Sequence, residues 1–272
     1  MEEGEVSNPK DPKLIVVVAI IVVIIILAGL FLFGGLNLPT NPFDSGEKVQ
    51  VLVIGSVSLG ERVVLDNLSS TFSYREKTAK DLEKVTVTDF EDYHVVILDQ
   101  SLTEKSVSFD LGSALVSYIE KGGKLIVVQN SGIYQSLGLD GVAAGDSVGW
   151  KQNFGNIIPV ECILLSGNNP SCEDSQKINV VGRLYRQDYD HPIMNGIEIA
   201  PVAGEVPYQL ILFPVQANEG AKTIAYFKTD NTPQTFPAIL EKKHFILGTV
   251  IYFNYDPGYT PTILKNTLEY LR

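Results

Sequence analysis

Cysteine, histidine and clustered cations are scarce in this chain, and each scarcity closes a class of function. The two cysteines, Cys162 and Cys172, cannot build a structural zinc site alone, and none of the three histidines lies at finger spacing from them. No metal and no cofactor is therefore expected. Lys and Arg number 21 against 32 Asp and Glu, a net charge of −11, and no basic stripe runs against that balance. Contact with a phosphate backbone needs such a stripe, so nucleic acid is excluded as a partner. No internal repeat is present, which excludes a solenoid.

What the N-terminal end has in abundance is apolarity. Residues 14–33, LIVVVAIIVVIIILAGLFLF, contain no charge, and at about 1.5 Å per helical residue they span roughly 30 Å, the thickness of a hydrocarbon core. A cleaved signal peptide has a shorter apolar region and a small-residue cleavage site, and the following GGLNLP offers none. The spacing predicts a transmembrane helix over 14–34, after a short cytoplasmic tail, 1–13, and before a linker, 35–48. Lys10 and Lys13 flank the run on one side and the next cation is Lys48. The positive-inside rule then places the C-terminal domain outside. The expected localisation is the cell membrane, single-pass, with the lipid bilayer as first partner and an extracellular domain.

Cys162 and Cys172 enclose a Gly-Asn-Asn-Pro turn that returns the chain on itself. Outside the cell such a pair is a disulfide; inside it is two thiols. The sequon Asn67-Leu68-Ser69 makes Asn67 a glycosylation candidate on the same assumption.

Residues 49–54, VQVLVI, are almost continuously apolar and end at Gly55, the pattern of a strand covered on both faces, as in a parallel sheet. Residues 61–70 suit a short helix and 94–99, HVVILD, a second buried strand. Val107, Leu111, Ala114, Leu115, Tyr118 and Ile119 recur at helical spacing, and Gly122-Gly123 supplies the helix stop. Residues 125–128 make the next buried strand. Alternating strand and helix predict a doubly wound, mainly parallel α/β domain over 49–272. Residues 140–185 lose periodicity and read as an excursion over one end of the sheet. The part from 223 to 253 is β-rich at hairpin distances, and an amphipathic helix with Ile263, Leu264, Leu268 and Leu271 on one face closes the domain.

Five segments in this order, VQVLVIG, EDYHVVILDQ, YIEKGGKLIVVQNSG, DHPIMNGI (190–197) and GTVIYFNYDPG (248–258), resemble the class I glutamine amidotransferase-like superfamily and its trehalose-utilisation-type relatives. The resemblance implies a flavodoxin-like fold. In active members the nucleophile is a cysteine in a Gly-x-Cys-x-Gly elbow, where a strained turn and a helix N-terminus favour thiolate. Laid on that pattern, Asn130 occupies the cysteine position, Gly132 is the second glycine and Val128 replaces the first. The family's His-x-Glu dyad belongs in GTVIYFNYDPG, where this chain has Asn254, Tyr255 and Asp256. Nucleophile and base are both missing, so no catalytic residue is expected and the elbow of Asn130, Ser131 and Gly132 is vestigial.

Asn130, Ser131, His191, Asn254 and Asp256 remain as ligand-binding candidates. Ser131 could act as nucleophile only with His191 as base, since His94 opens a strand and His244 follows a hairpin turn. Its plainer role is to cap the helix that follows the strand. Trp150, alone of its kind and in a polar stretch, is either a plug on the core or an interface candidate. The expected function is a membrane-anchored, non-catalytic binding or scaffolding subunit working with other membrane or envelope proteins. A hydrolase, or a sugar-related enzyme or binding protein with a site at the C-terminal edge of the sheet, is the alternative.

Overall fold

A computed structural model describes residues 47–135, 148–230, 233–244 and 248–272, and its contacts separate residues 1–47 from the unit that begins at Lys48. In this unit the first strand, β1 (Val49–Gly55), is buried at every position but Gln50. Helix α1 (Leu59–Asn67) opens with a capping box, Ser58 accepting from the Glu61 N–H while the Glu61 carboxyl accepts from the Ser58 N–H. The chain returns through β2 (Phe72–Lys77), parallel to β1, and reaches β3 (Val95–Asp99) through two 3-10 turns rather than a helix. Next come β4 (Ser106–Val107), α2 (Phe109–Glu120), β5 (Lys124–Val128) and β6 (Tyr134–Gln135). Ser108 caps α2, and Gly122, at φ +103°, ends it.

Beyond residue 148 the chain forms α3 (Lys151–Phe154), β7 (Val160–Cys162), β8 (Ile178–Arg186), β9 (Ile199–Ala200), β10 (Tyr208–Leu212) and β11 (Val215–Ala217). The long strands β12 (Lys222–Thr229) and β13 (Thr235–Lys243) follow, then β14 (Thr249–Phe253) and α4 (Pro261–Leu271). Ten strands share one sheet in the order β10-β8-β12-β13-β14-β5-β3-β1-β2, with β9 beside β8. The strands β2, β1, β3, β5 and β14 run parallel to one another. From β14 outward, through β13, β12 and β8 to β10, every pairing is antiparallel.

The expected flavodoxin-like, mainly parallel fold is thus corrected to a large mixed sheet with few helices. The reason is physical. Continuous apolarity marks a strand buried on both faces but carries no information about direction. The β-rich runs from 223 onward are not an appendage; together with β8 and β10 they extend the same sheet by antiparallel pairing. The transmembrane and cell-membrane expectations are corrected too, because no helix among the described residues is long and apolar enough to cross a membrane. The run 14–34 lies outside the described residues, as do the tail 1–13 and linker residues 35–46.

One face of the sheet contributes Leu52, Ile54, Val96, Leu98, Leu125, Val127, Val250 and Tyr252 to a continuous core with Leu111, Leu115, Tyr118 and Ile119 of α2. The alternate residues, among them Val51, Val53, Ile97, Ile126 and Ile251, point to the opposite face and are equally buried. Four strands separate β10 from β5 in the sheet order. Even so, the side chain of Gln129, just after β5, donates to the Ile211 carbonyl within β10 at 3.0 Å. Asn254, just after β14, exchanges hydrogen bonds with the Phe213 main chain. The antiparallel half therefore curls back onto the C-terminal end of the parallel half.

Candidate functional site

The turn after β5, which leads into β6 rather than the expected helix, is where the elbow was expected, and it is strained one residue early. Gln129, not Asn130, has a positive φ of 51°, a conformation that costs a non-glycine residue about 1–3 kcal/mol. Its main-chain N–H donates to Phe253 at 2.6 Å and its side chain to Ile211, and these bonds hold the turn. Gly132 is obligatory, since at φ +74° an added Cβ would sit 2.7 Å from the Phe154 ring.

The side chains of this turn are bonded inside the chain, with Asn130 Oδ1 the one buried atom among them left without a partner. Asn130 is fully buried and its amide donates to the Cys172 carbonyl at 3.0 Å and to Asp174 at 3.1 Å. The Ser131 hydroxyl accepts from the Gln100 N–H at 2.7 Å, and Gln100 Oε1 accepts from the Gly132 N–H at 2.8 Å. Trp150 lies over the turn, its indole N–H donating to the Ser131 carbonyl at 2.8 Å and its ring meeting Tyr252 edge to face. Only 3% of Trp150 is exposed, so of the two readings it is the core plug, and the interface candidate is corrected. Much of the supposed excursion is core as well: Phe154, Ile157, Ile158, Val160 and Cys172 are buried with it, while residues 140–147 lie outside the described set. Cys162 and Cys172 form a disulfide with Cα atoms 5.4 Å apart, and this fixes the carbonyl that holds Asn130.

His191 lies elsewhere. Its Nδ1 accepts from the Ile193 N–H, capping a 3-10 turn, and its Nε2 is 3.4 Å from Glu241 Oε1. Tyr270 donates to the same oxygen at 2.5 Å and stands edge-on to the imidazole. Ser131 and His191 share no hydrogen-bond partner, so the structure does not bring this candidate pair together. Burial pushes the Glu241 carboxyl up, but hydrogen bonds from His191 and Tyr270 outweigh it and hold the group below the usual range. The cluster lines an open cleft of about 540 Å³ with Asp188, Asp190, Lys222 and Lys243. A metal does not suit His191. A ligating nitrogen needs the other ring nitrogen to donate, whereas here Nδ1 accepts. Among the described residues no group of three His, Cys, Asp or Glu is arranged to hold one.

Asn254 and Asp256 are structural in the same way. Asn254 is fully buried between Phe213 and the Pro237 carbonyl. Asp256 accepts from Ser58 Oγ at 2.9 Å and from the Gly258 N–H at 2.7 Å, capping the turn Pro257–Tyr259. Asn67, the glycosylation candidate, ends α1 and is exposed.

One constellation was missed from the sequence. Glu61 and Asp99 are 2% and 0% exposed and lie together at the C-terminal ends of β1 and β3. Burial, then the neighbouring Asp99, pushes the Glu61 carboxyl up to about 10, and burial raises Asp99 as well. The Ser58-x-x-Glu61 spacing of a capping box was readable; the pairing of Glu61 with Asp99 needs the β1–β3 adjacency.

No family model matches the chain, and no curated protein does. Solved structures do match. A cytoplasmic protein from Salmonella typhimurium LT2 superposes with a TM-score of 0.55 at 13% identity, covering 82% of this chain and 100% of that one. A β-galactosidase from Bacillus circulans sp. alkalophilus gives 0.52 at 14% identity, covering 83% of this chain and 31% of that one. A β-galactosidase from Rahnella sp. R3 gives 0.51 at 12% identity, with 82% and 31% covered. The chain thus spans about a third of the length of these galactosidases. At such identities the likeness is one of fold, and fold alone does not select a chemistry.

Proposed function

We propose that this chain is a non-catalytic binding or scaffolding subunit that works through protein partners. The observation that carries this is the closed turn after β5. Asn130 and Ser131 use their side chains to hold Cys172, Asp174 and Gln100, and Trp150 covers them. A nucleophile needs a base within hydrogen-bond reach, whereas the Ser131 hydroxyl meets the Gln100 N–H and His191 lies beside Ile193 and Glu241. The segments that follow the parallel strands, the first residues of α1 and α2 among them, expose Leu59, Leu102, Phe109 and Tyr259, which are 80%, 67%, 65% and 53% accessible. Apolar side chains exposed beyond the strands of a rigid sheet suit contact with another protein.

The test combines two measurements on the full chain. Extraction under mild conditions with size analysis and mass spectrometry is expected to return a complex with a co-purifying protein. Glutamine and generic ester or peptide substrates are expected to remain unchanged. Turnover that disappears in Ser131→Ala would replace this proposal with the hydrolase alternative, and a solitary monomer would remove its partner.

A further inference from the structure

Buried beneath the turn Pro257–Tyr259 is a group of acids with no basic partner among the described residues. β1 and β3 are adjacent parallel strands from which the chain leaves in opposite directions, to β2 on one side and β5 on the other. In open α/β sheets the crevice at such a point is where ligands enter. Here the chain fills it itself. An added Cβ at Gly60 would lie 2.5 Å from the Gly258 carbonyl oxygen, and one at Gly258 would lie 2.7 Å from both the Glu61 nitrogen and Ser58 Oγ. The turn is therefore pressed onto the first turn of α1 with no room for a side chain between them.

Below this contact Glu61 Oε2 accepts from the Ser58 N–H at 2.7 Å, and Asp99 Oδ1 accepts from the Ser101 N–H at 2.8 Å. Asp99 Oδ2 is buried with no donor from the main chain or from any basic side chain. The side chain beside that of Asp99 is the Glu61 carboxyl. Asp256, on the turn itself, is the third acid and bears on both. On α1 the adjacent cation, Arg62, is spent on Glu76 at 2.9 Å near the surface. The neighbouring Tyr255 hydroxyl pairs with Thr260. Two contacting carboxylates in a dry site cannot both be ionised. A metal ion is the other way to neutralise them, but these acids do not converge as ligands. A proton on Glu61, directed at Asp99 Oδ2, satisfies the orphaned oxygen and removes the repulsion together.

We propose that a single proton shared by Glu61 and Asp99 locks the 256–259 turn over this crevice, and that losing it releases the turn. When the proton passes to solvent, two carboxylates are left in contact with a third close by. Asp256, partly exposed and held only through Ser58 Oγ and the Gly258 N–H, is the member able to move away. The sign follows from linkage. A carboxyl whose folded value lies above its unfolded one stabilises the closed form fully at low pH, and that contribution is lost as pH rises from the ordinary carboxylate range toward about 10.

The test is hydrogen exchange of the Gly258, Tyr259 and Thr260 amides in the full chain, corrected for intrinsic rates, at about pH 6 and about pH 9. Native protein is expected to lose about tenfold or more of its protection across this interval. Glu61→Gln, whose amide both accepts from Ser58 and donates to Asp99, is expected to hold its protection constant. Identical profiles in the two proteins overturn the proposal. An infrared band from a protonated carboxylic acid, present in native protein at neutral pH and absent in Glu61→Gln, is the second measurement. Should Glu61→Gln fail to fold, that band decides on the native protein alone, since its absence at neutral pH overturns the shared proton.

Discussion

Replacing Asn254 with alanine tests whether the curl of the sheet is held by one amide. Asn254 Oδ1 accepts from the Phe213 N–H at 3.0 Å and from the Tyr252 hydroxyl at 3.2 Å, while its Nδ2 donates to the Phe213 and Pro237 carbonyls, both at 2.9 Å. No solvent reaches the residue. Alanine leaves a main-chain donor, two carbonyls and a phenol without a partner, at about 1–3 kcal/mol for each buried group that stays unsatisfied. If the carbonyls and the hydroxyl recover part of that by small shifts, the net loss is about 4 kcal/mol, a large share of the roughly 5–15 kcal/mol that stabilises a domain. Urea unfolding followed by the emission of Trp150 measures it directly, because the protein has one tryptophan and it is buried. Asn254→Asp keeps the acceptor for Phe213 but sets a carboxylate oxygen against two carbonyls, so it too is expected to destabilise. Asn67→Ala, at an exposed helix end, is the control and is expected to change stability by less than about 0.5 kcal/mol. A loss of under about 1 kcal/mol for Asn254→Ala would refute the reasoning and return Asn254 to the ligand-binding candidates.

Other perturbations separate the remaining contributions. Reducing Cys162–Cys172, or replacing both with serine, is expected to cost about 2.5–3 kcal/mol in urea titrations, the loop-closure value for a separation of 10 residues. Gly60→Ala is expected to lower stability by about 1–3 kcal/mol in thermal unfolding, since its methyl group meets the Gly258 carbonyl rather than a movable side chain. Glu241 has its folded value lowered, so its contribution is complete above the unfolded value of about 4.3 and is lost as pH falls through the lower folded one. Glu241→Gln is accordingly expected to flatten the acid limb of the stability profile, and an unchanged limb would count against the contacts of Glu241 with His191 and Tyr270 as its cause.

Local elements were readable because burial on both faces leaves a plain mark. The runs 49–54, 94–99 and 125–128 became β1, β3 and β5, and the spacing from Leu111 to Ile119 became α2. Strand direction was not readable, and β8 shows why. INVVGRLYR sits partly within a polar stretch, and its place beside β12 depends on Gly182, where a Cβ would be 2.1 Å from the Lys228 carbonyl oxygen. The turn after β5 was found by pattern, but its strain falls on Gln129, held by Ile211 and Phe253 from distant parts of the chain. The choice between plug and anchor for Trp150 was not readable for the same reason: the groups that bury it, Ser131 and Tyr252, are not neighbours in sequence.

The position of β14 has a consequence for how the chain is made. It is the fifth of the parallel strands, yet the whole antiparallel half is encoded between it and β5, whose neighbour it is. On the ribosome β5 waits with one apolar edge unpaired until β14 emerges, on the order of ten seconds at typical elongation speeds. Mutations that slow assembly of β12 and β13 should therefore appear first as lost yield during synthesis, even where protein refolded from denaturant is as stable as before.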